Sequence, residues 1–328
     1  MAPLSEAIRT TFKESLKDGT QIYECIADPQ WTFGVVTYGG YSLGLVVDAA
    51  RKLQTLTSHP DIIHLSSQFL RATVPGPMEI RILTVRTGKQ FTNLTAEVHQ
   101  KDTLKITIQL IFGNFERISK SAEGGMSMPA NYVPLHPLVV HPSKAKLAPP
   151  HWAQKFSMHY IHASDPYFEE NNKLLSTEGG NIDGLMMGSW LRLIEAEDVK
   201  MSPTYIPFVV DMVQVPWAIL PEEHTKGKEY WNPSLTIAIE FKCRLPLPPD
   251  HASHTLAIFS RKRHLKDGIW NDATEIWSAP SELGDEATGE IDEKWREKMV
   301  CVAVASQVAF MASGDINLRY AKGDKSRL

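Results

Sequence analysis

Long apolar runs, cysteine and an excess of either charge are what this 328-residue chain has little of. No stretch reaches the ~18 consecutive apolar residues that a membrane-crossing helix needs, so no membrane span is expected. The opening MAPLSEAIRTTFKESLKDG lacks the uninterrupted apolar core of a secretory leader, and a soluble, intracellular chain is expected. The three cysteines, Cys25, Cys243 and Cys301, are odd in number and scattered, which argues against a disulfide framework. They form no CxxC pair and have no histidine at zinc-ligand spacing, so neither a metal nor a cofactor is expected. With 34 Lys and Arg against 38 Asp and Glu the net charge is −4, and no basic stripe offers itself to nucleic acid.

What the chain does have is an internal echo. Gly39 to Leu53 (GGYSLGLVVDAARKL) and Thr204 to Leu220 (TYIPFVVDMVQVPWAIL) are apolar nearly all round, as buried helices are and amphipathic surface helices are not. Each contains Val-Val-Asp, ending at Asp48 and Asp211, and a carboxylate in so apolar a setting is costly unless paired or functional. Strand-like segments with period-2 alternation follow each helix. They begin at His64, Met78, Phe91 and Leu104 in the first half, and at Ser234, His254, Asn271 and Lys298 in the second. Between the halves, prolines at 129, 134, 137, 142, 149 and 150 forbid regular structure and mark a linker. The expected organisation is an N-terminal unit over 1–120, a proline-rich linker over 121–150, a C-terminal unit over 151–315 and a tail over 316–328. A single buried helix wrapped by a curved antiparallel sheet, made twice, gives an α+β fold in which each unit covers the other's helix.

Two short motifs need weighing. Gly40-Tyr41-Ser42-Leu43-Gly44 fits G-x-S-x-G, the nucleophile elbow of α/β-hydrolases. Too little chain precedes it for the βα units of that fold, so the glycines are expected to serve close packing of a buried helix instead. At the other end, Ser326-Arg327-Leu328 is similar to the Ser-Lys-Leu peroxisomal address, which implies an import receptor as partner and a peroxisomal location, or a cytoplasmic one failing that.

The order GGYSLGLVVDAARKL, then Phe69-Leu70-Arg71, then Arg86-Thr87-Gly88-Lys89-Gln90-Phe91 resembles the first half of the acyl-CoA thioesterase II family, the double-hotdog thioesterases. The resemblance runs to about Met311. It implies a double hotdog fold, an acyl-CoA substrate, edge-to-edge association into a homo-oligomer, and an Asp/Thr/Gln triad that activates water. Matched residue by residue, Asp211 takes the Asp place, Thr236 the Thr place and Gln307 the Gln place. Gly39 and Gly40, at the first helix's start, are expected to face the substrate.

The same internal register offers Asp48, His64 and Gln109 as a second, displaced site, although Asp48 could pair locally with Arg51. Arg261 and Arg263 lie in a basic run that could meet the phosphates of CoA, or form a solvated turn. Trp190, Trp217, Trp231, Trp270 and Trp277 could line an acyl pocket, with core packing as the commoner use. The expected function is hydrolysis of a fatty or unusual acyl-CoA to acid and CoA. The alternatives are a biosynthetic enzyme that releases or cyclises an acyl or polyketide product, and a non-catalytic acyl or CoA binder.

Overall fold

The computed structural model describes residues 2–121, 128–129, 132–149, 155–178, 183–220, 230–286 and 290–314. The Ser-Arg-Leu terminus and parts of the proline-rich stretch lie outside these residues.

The first half supplies β1 (Thr11–Ser15), β2 (Gln21–Ala27), helix α1 (Gly39–Gln54), β3 (Asp61–Phe69), β4 (Gly76–Thr87), β5 (Thr92–Gln100) and β6 (Thr103–Gly113). The second half supplies β7 (Tyr160–Ser164), α2 (Pro166–Glu178), β8 (Leu185–Leu193), α3 (Ile206–Asp211), β9 (Ser234–Phe241), β10 (Thr255–Lys262), β11 (Ile269–Ser278) and β12 (Cys301–Phe310). All these strands belong to one 13-stranded antiparallel sheet, whose order is β1-β2-β4-β5-β6-β3-β9-β12-β11-β10-β8-β7, the short Leu265–Lys266 strand pairing off this path. From the β3–β9 junction outward, each half repeats the other's order. The duplication expected from the sequence is therefore a structural one, and the two sheets fuse by pairing Gln68 with Thr236 through His64 with Glu240. Ser67 Oγ seals this join by donating to the Ile237 carbonyl at 2.9 Å.

Helix α1 is buried along most of its length, as its unbroken apolar composition requires. It crosses the second half's helical segment closely enough to need glycine. A Cβ on Gly40 would stand 2.3 Å from the Pro207 carbonyl oxygen, and one on Gly44 would stand 2.8 Å from that of Thr204. Close packing thus accounts for the G-x-S-x-G pattern. Ser42 is fully buried and bonds Tyr38 O and Thr73 Oγ1, each at 3.2 Å, so it is no nucleophile elbow.

The second helix departs from expectation. In place of one helix over 204–220, a 3₁₀ turn (Pro203–Tyr205) leads into the six residues of α3, the chain leaves helical geometry at Met212, and Pro216–Ile219 forms a separate turn. Pro216 explains why no helix runs on to 220, since its ring drives Val215 to extended geometry (φ −75°, ψ 151°); the chain has already left helical geometry at Met212 (φ −80°, ψ 38°). Asp211 consequently ends its helix instead of sitting inside it.

The proline-rich stretch is more than a linker. His136 and Leu138 are fully buried on the outer face of the second half's sheet, in a core with Trp190, Trp277, Trp295 and Phe168 of α2. The His136 ring stacks on Trp190 at 5.1 Å and meets Trp277 and Trp295 edge-on, and burial pushes its pKa down to about 3. Trp190 and Trp277 therefore pack on the sheet face away from α1 and α3 rather than lining an acyl pocket there, and Trp231 joins a small cluster with Val36 and Ala312.

Candidate active site

Asp211 is carried to the point where the halves meet. Its residue is 8% exposed, and its carboxylate faces the N-terminus of α1 from the other half. An α-helix leaves its first N–H groups without intrahelical acceptors. Here the first backbone bond of α1 runs from Ser42 N to Tyr38 O, and Gly40 N–H donates instead to Asp211 Oδ2 at 2.8 Å. Glycine is required at that contact, because a Cβ on Gly40 would lie 2.8 Å from Asp211 Cβ and one on Gly39 would lie 3.0 Å from Oδ2. Tyr38, just ahead of α1, donates its hydroxyl to the Asp211 carbonyl. Burial and the neighbouring carboxylate hold the Tyr38 phenol well above its ordinary range, so it stays a donor. Tyr38 also meets Phe156 and Phe208 in an aromatic cluster with Trp31 that ties the two halves together around this point.

The second half completes the group. Gln307 on β12 donates through Nε2 to Asp211 Oδ1 at 2.9 Å and to Ser234 Oγ at 2.7 Å, while Ser234 Oγ lies 3.4 Å from Asp211 Oδ1. The Gln307 carbonyl oxygen, Oε1, is buried with no partner. Loss of water around the carboxylate outweighs these hydrogen bonds, and the Asp211 pKa is pushed up to about 6. The result is a carboxylate that is mostly ionised at neutral pH yet more basic than an ordinary one.

Of the three residues expected here, the structure brings Asp211 and Gln307 together, but the hydroxyl beside them is that of Ser234. Thr236 lies opposite Val308 and Gln68, on the face of β9 shared with exposed Glu240. A register shift between Ser234 and Thr236 is the reason: it turns Ser234 onto the face of Ile237 and Gln307. Strand parity held part of this. Thr236 and buried Phe241 are an odd number of residues apart, so they point to opposite faces; the bulge that turns Ser234 inward has no such signal.

The second set does not assemble. Asp48 accepts from Thr10 N at 2.8 Å, Thr10 Oγ1 at 2.7 Å and Lys52 Nζ at 2.7 Å, pinning the N-terminal segment to α1. Its expected neighbour Arg51 reaches Ser202 Oγ instead. Gln109 is exposed and pairs with Ser66, on the sheet face turned away from α1, and His64 shares that face opposite Glu240. The register matching Gln109 to Gln307 is one residue out. Centring the fused pair on Ser66 and Ala238 sets Gln307 against Leu110, which is buried and apolar.

Arg261 lies on the outer face of β10, bonded to Glu275 at 3.1 Å and lying over Phe259, and Arg263 approaches Asp183 at 3.9 Å. Neither reaches Asp211. Gly39 and Gly40 do stand at the site. Among the described residues no group of His, Cys, Asp and Glu could hold a metal ion, and no helix is long and apolar enough to cross a membrane.

Comparison with known proteins bears on the fold. Residues 27–113 match the family model for the acyl-CoA thioesterase N-terminal domain. The match covers about a quarter of the chain, all of it in the first half. A conserved hot dog protein from Alicyclobacillus acidocaldarius superposes with a TM-score of 0.68 at 12% identity, covering 94% of this chain and 98% of that one. TesB2, an acyl-CoA thioesterase II from Mycobacterium marinum, superposes at 0.61 with 14% identity over 94% and 98%. At such identities the likeness is one of fold: the chain is built as a double hotdog. In sequence the chain is 28% identical over 151 residues to the ustilagic acid biosynthesis cluster protein orf2 of Mycosarcoma maydis. That match spans 44% of this chain and 39% of the relative's length.

Proposed function

We propose that the chain hydrolyses acyl-CoA thioesters, with Asp211 as general base. The observation that carries this reading is a buried carboxylate held above its ordinary pKa by burial, beside a helix N-terminus and an unpartnered amide oxygen. Asp211 takes a proton from a water whose other hydrogen is held by Gln307 Oε1, and that water attacks the thioester carbonyl carbon. The remaining N–H groups of the first turn of α1 receive the developing oxyanion. As the C–S bond breaks, the proton on Asp211 passes to the departing sulfur, leaving a free acid and the CoA thiol. A pKa near 6 suits both steps, since the group must be ionised to begin and acidic enough to give the proton back.

The test is thiol release from a panel of acyl-CoAs of different chain length, with wild type and Asp211→Asn. Release by the wild type that collapses in the variant supports the reading. Tight binding without release would favour an acyl binder instead. A second reading, release of an acyl product within a biosynthetic pathway, is favoured by the Mycosarcoma maydis relative, whose name places it in a biosynthesis cluster. Ser326-Arg327-Leu328 supports a peroxisomal location through an import receptor, and a fluorescent fusion that remains diffuse with the tripeptide intact would contradict it.

A further inference from the structure

Beside Gln307 the helix-facing side of the sheet is polar where a fatty chain would want it apolar. Asp272 on β11 is the cross-strand partner of Gln307, and Lys262 on β10 stands in the next strand, beside Asp272. Both side chains are almost wholly buried: the residues are 1% and 5% exposed. Lys262 Nζ bonds Asp272 Oδ2 at 3.3 Å and Ser260 Oγ at 2.8 Å. The other carboxylate oxygen, Oδ1, has no partner at bonding distance, although the Thr274 and Ser260 hydroxyls stand near enough to the carboxylate to favour its ionised form. Trp270, two residues earlier on the same face and 2% exposed, holds an indole N–H that is also without a partner, and Lys262 Nζ lies 5.9 Å from its ring.

As a stabilising device this is a poor arrangement. Buried ion pairs gain little over apolar residues of similar size, and one left with an unmet carboxylate oxygen loses more. One unmet acceptor and one unmet donor are what a hydroxyl group needs, since it both donates and accepts. A cationic donor is disfavoured by Lys262.

Resting on the hydrolytic reading above, we infer that the preferred substrate is a hydroxylated acyl-CoA whose hydroxyl donates to Asp272 Oδ1 and accepts from Trp270 Nε1. Asp272 stands one strand spacing, about 4.8 Å, from Gln307. That places the hydroxyl on the third carbon of the acyl chain or one or two beyond it.

The experiment compares 3-hydroxyacyl-CoA and 5-hydroxyacyl-CoA with the unsubstituted acyl-CoA of equal length. It measures kcat/KM by thiol release, and binding with the non-hydrolysable thioether analogues of the same chains. Wild type should favour one of the hydroxylated chains by about tenfold or more. In Lys262→Met/Asp272→Leu, which replaces the pair by apolar residues, and in the isosteric Asp272→Asn, that ratio should fall toward one. Circular dichroism and a cooperative melt establish that each variant is folded. No hydroxyl preference in wild type, or a preference that survives in folded variants while both substrates slow equally, overturns the inference. Hydroxyl-selective binding of the thioethers without thiol release from any thioester would instead support it and sink the hydrolytic reading alone.

Discussion

Asp48 and Asp211 close the same Val-Val-Asp segment in the two halves of one duplicated fold, and their surroundings could hardly differ more. Asp48 is met by a backbone N–H, a hydroxyl and an ammonium, a set that satisfies the charge and leaves it nothing to do. Asp211 is buried, receives only neutral donors, and is pushed toward basicity. Aligning the two segments sets Pro203 opposite Gly40, so the N–H that meets Asp211 is missing from the counterpart position in the second half. One half contributes the helix N-terminus, the other the buried carboxylate, and the proposed site is formed only where they meet. Neither half contains it alone.

The contrast can be broken in several ways. The largest effect is expected from Asp211→Asn, which should lower turnover by about 10² to 10⁴-fold, whereas Asp48→Asn should leave turnover within a factor of about three; thiol-release kinetics on both variants decides this. Gly40→Ala comes next. Its methyl would meet the Pro207 carbonyl, a backbone atom that cannot swing aside, so stability should fall by about 1–3 kcal/mol in urea unfolding, with turnover falling as Asp211 is displaced. Ser234→Ala should cost about tenfold in kcat and Thr236→Val almost nothing, which separates the two hydroxyls by kinetics alone. Smallest, Asp48→Asn should lose about 1 kcal/mol of stability, since its charged contacts are partly exposed, and a melting curve checks it.

Much of this was legible in the residues. The all-round apolar helices and the alternating strands announce two small α+β units, while Val-Val-Asp marks Asp48 and Asp211 alike and only the resemblance to the thioesterases chooses Asp211. Apolar composition alone overstates the length of α3, because Pro216 holds Val215 in extended geometry and bars any helix there. Ser234 carries no signal in the alternation, because the bulge between it and Thr236 changes which face it takes. The buried Lys262–Asp272 pair was hidden for another reason. Lys262 reads as part of a basic turn with Arg261 and Arg263, and only the end of β10 shows that it points inward while its neighbours do not.

The proposed role of Asp211 as the base is tested most directly without any substitution, by the pH dependence of kcat/KM for an acyl-CoA. Burial raises the Asp211 pKa, and the group acts only when ionised, so the rate should climb about tenfold per pH unit at acid pH and level off above a midpoint of about 6. The Asp48→Asn variant should give the same curve. A profile flat from about pH 4.5 to 7.5, or a midpoint that moves with Asp48, would contradict the assignment of the chemistry to the second half's carboxylate.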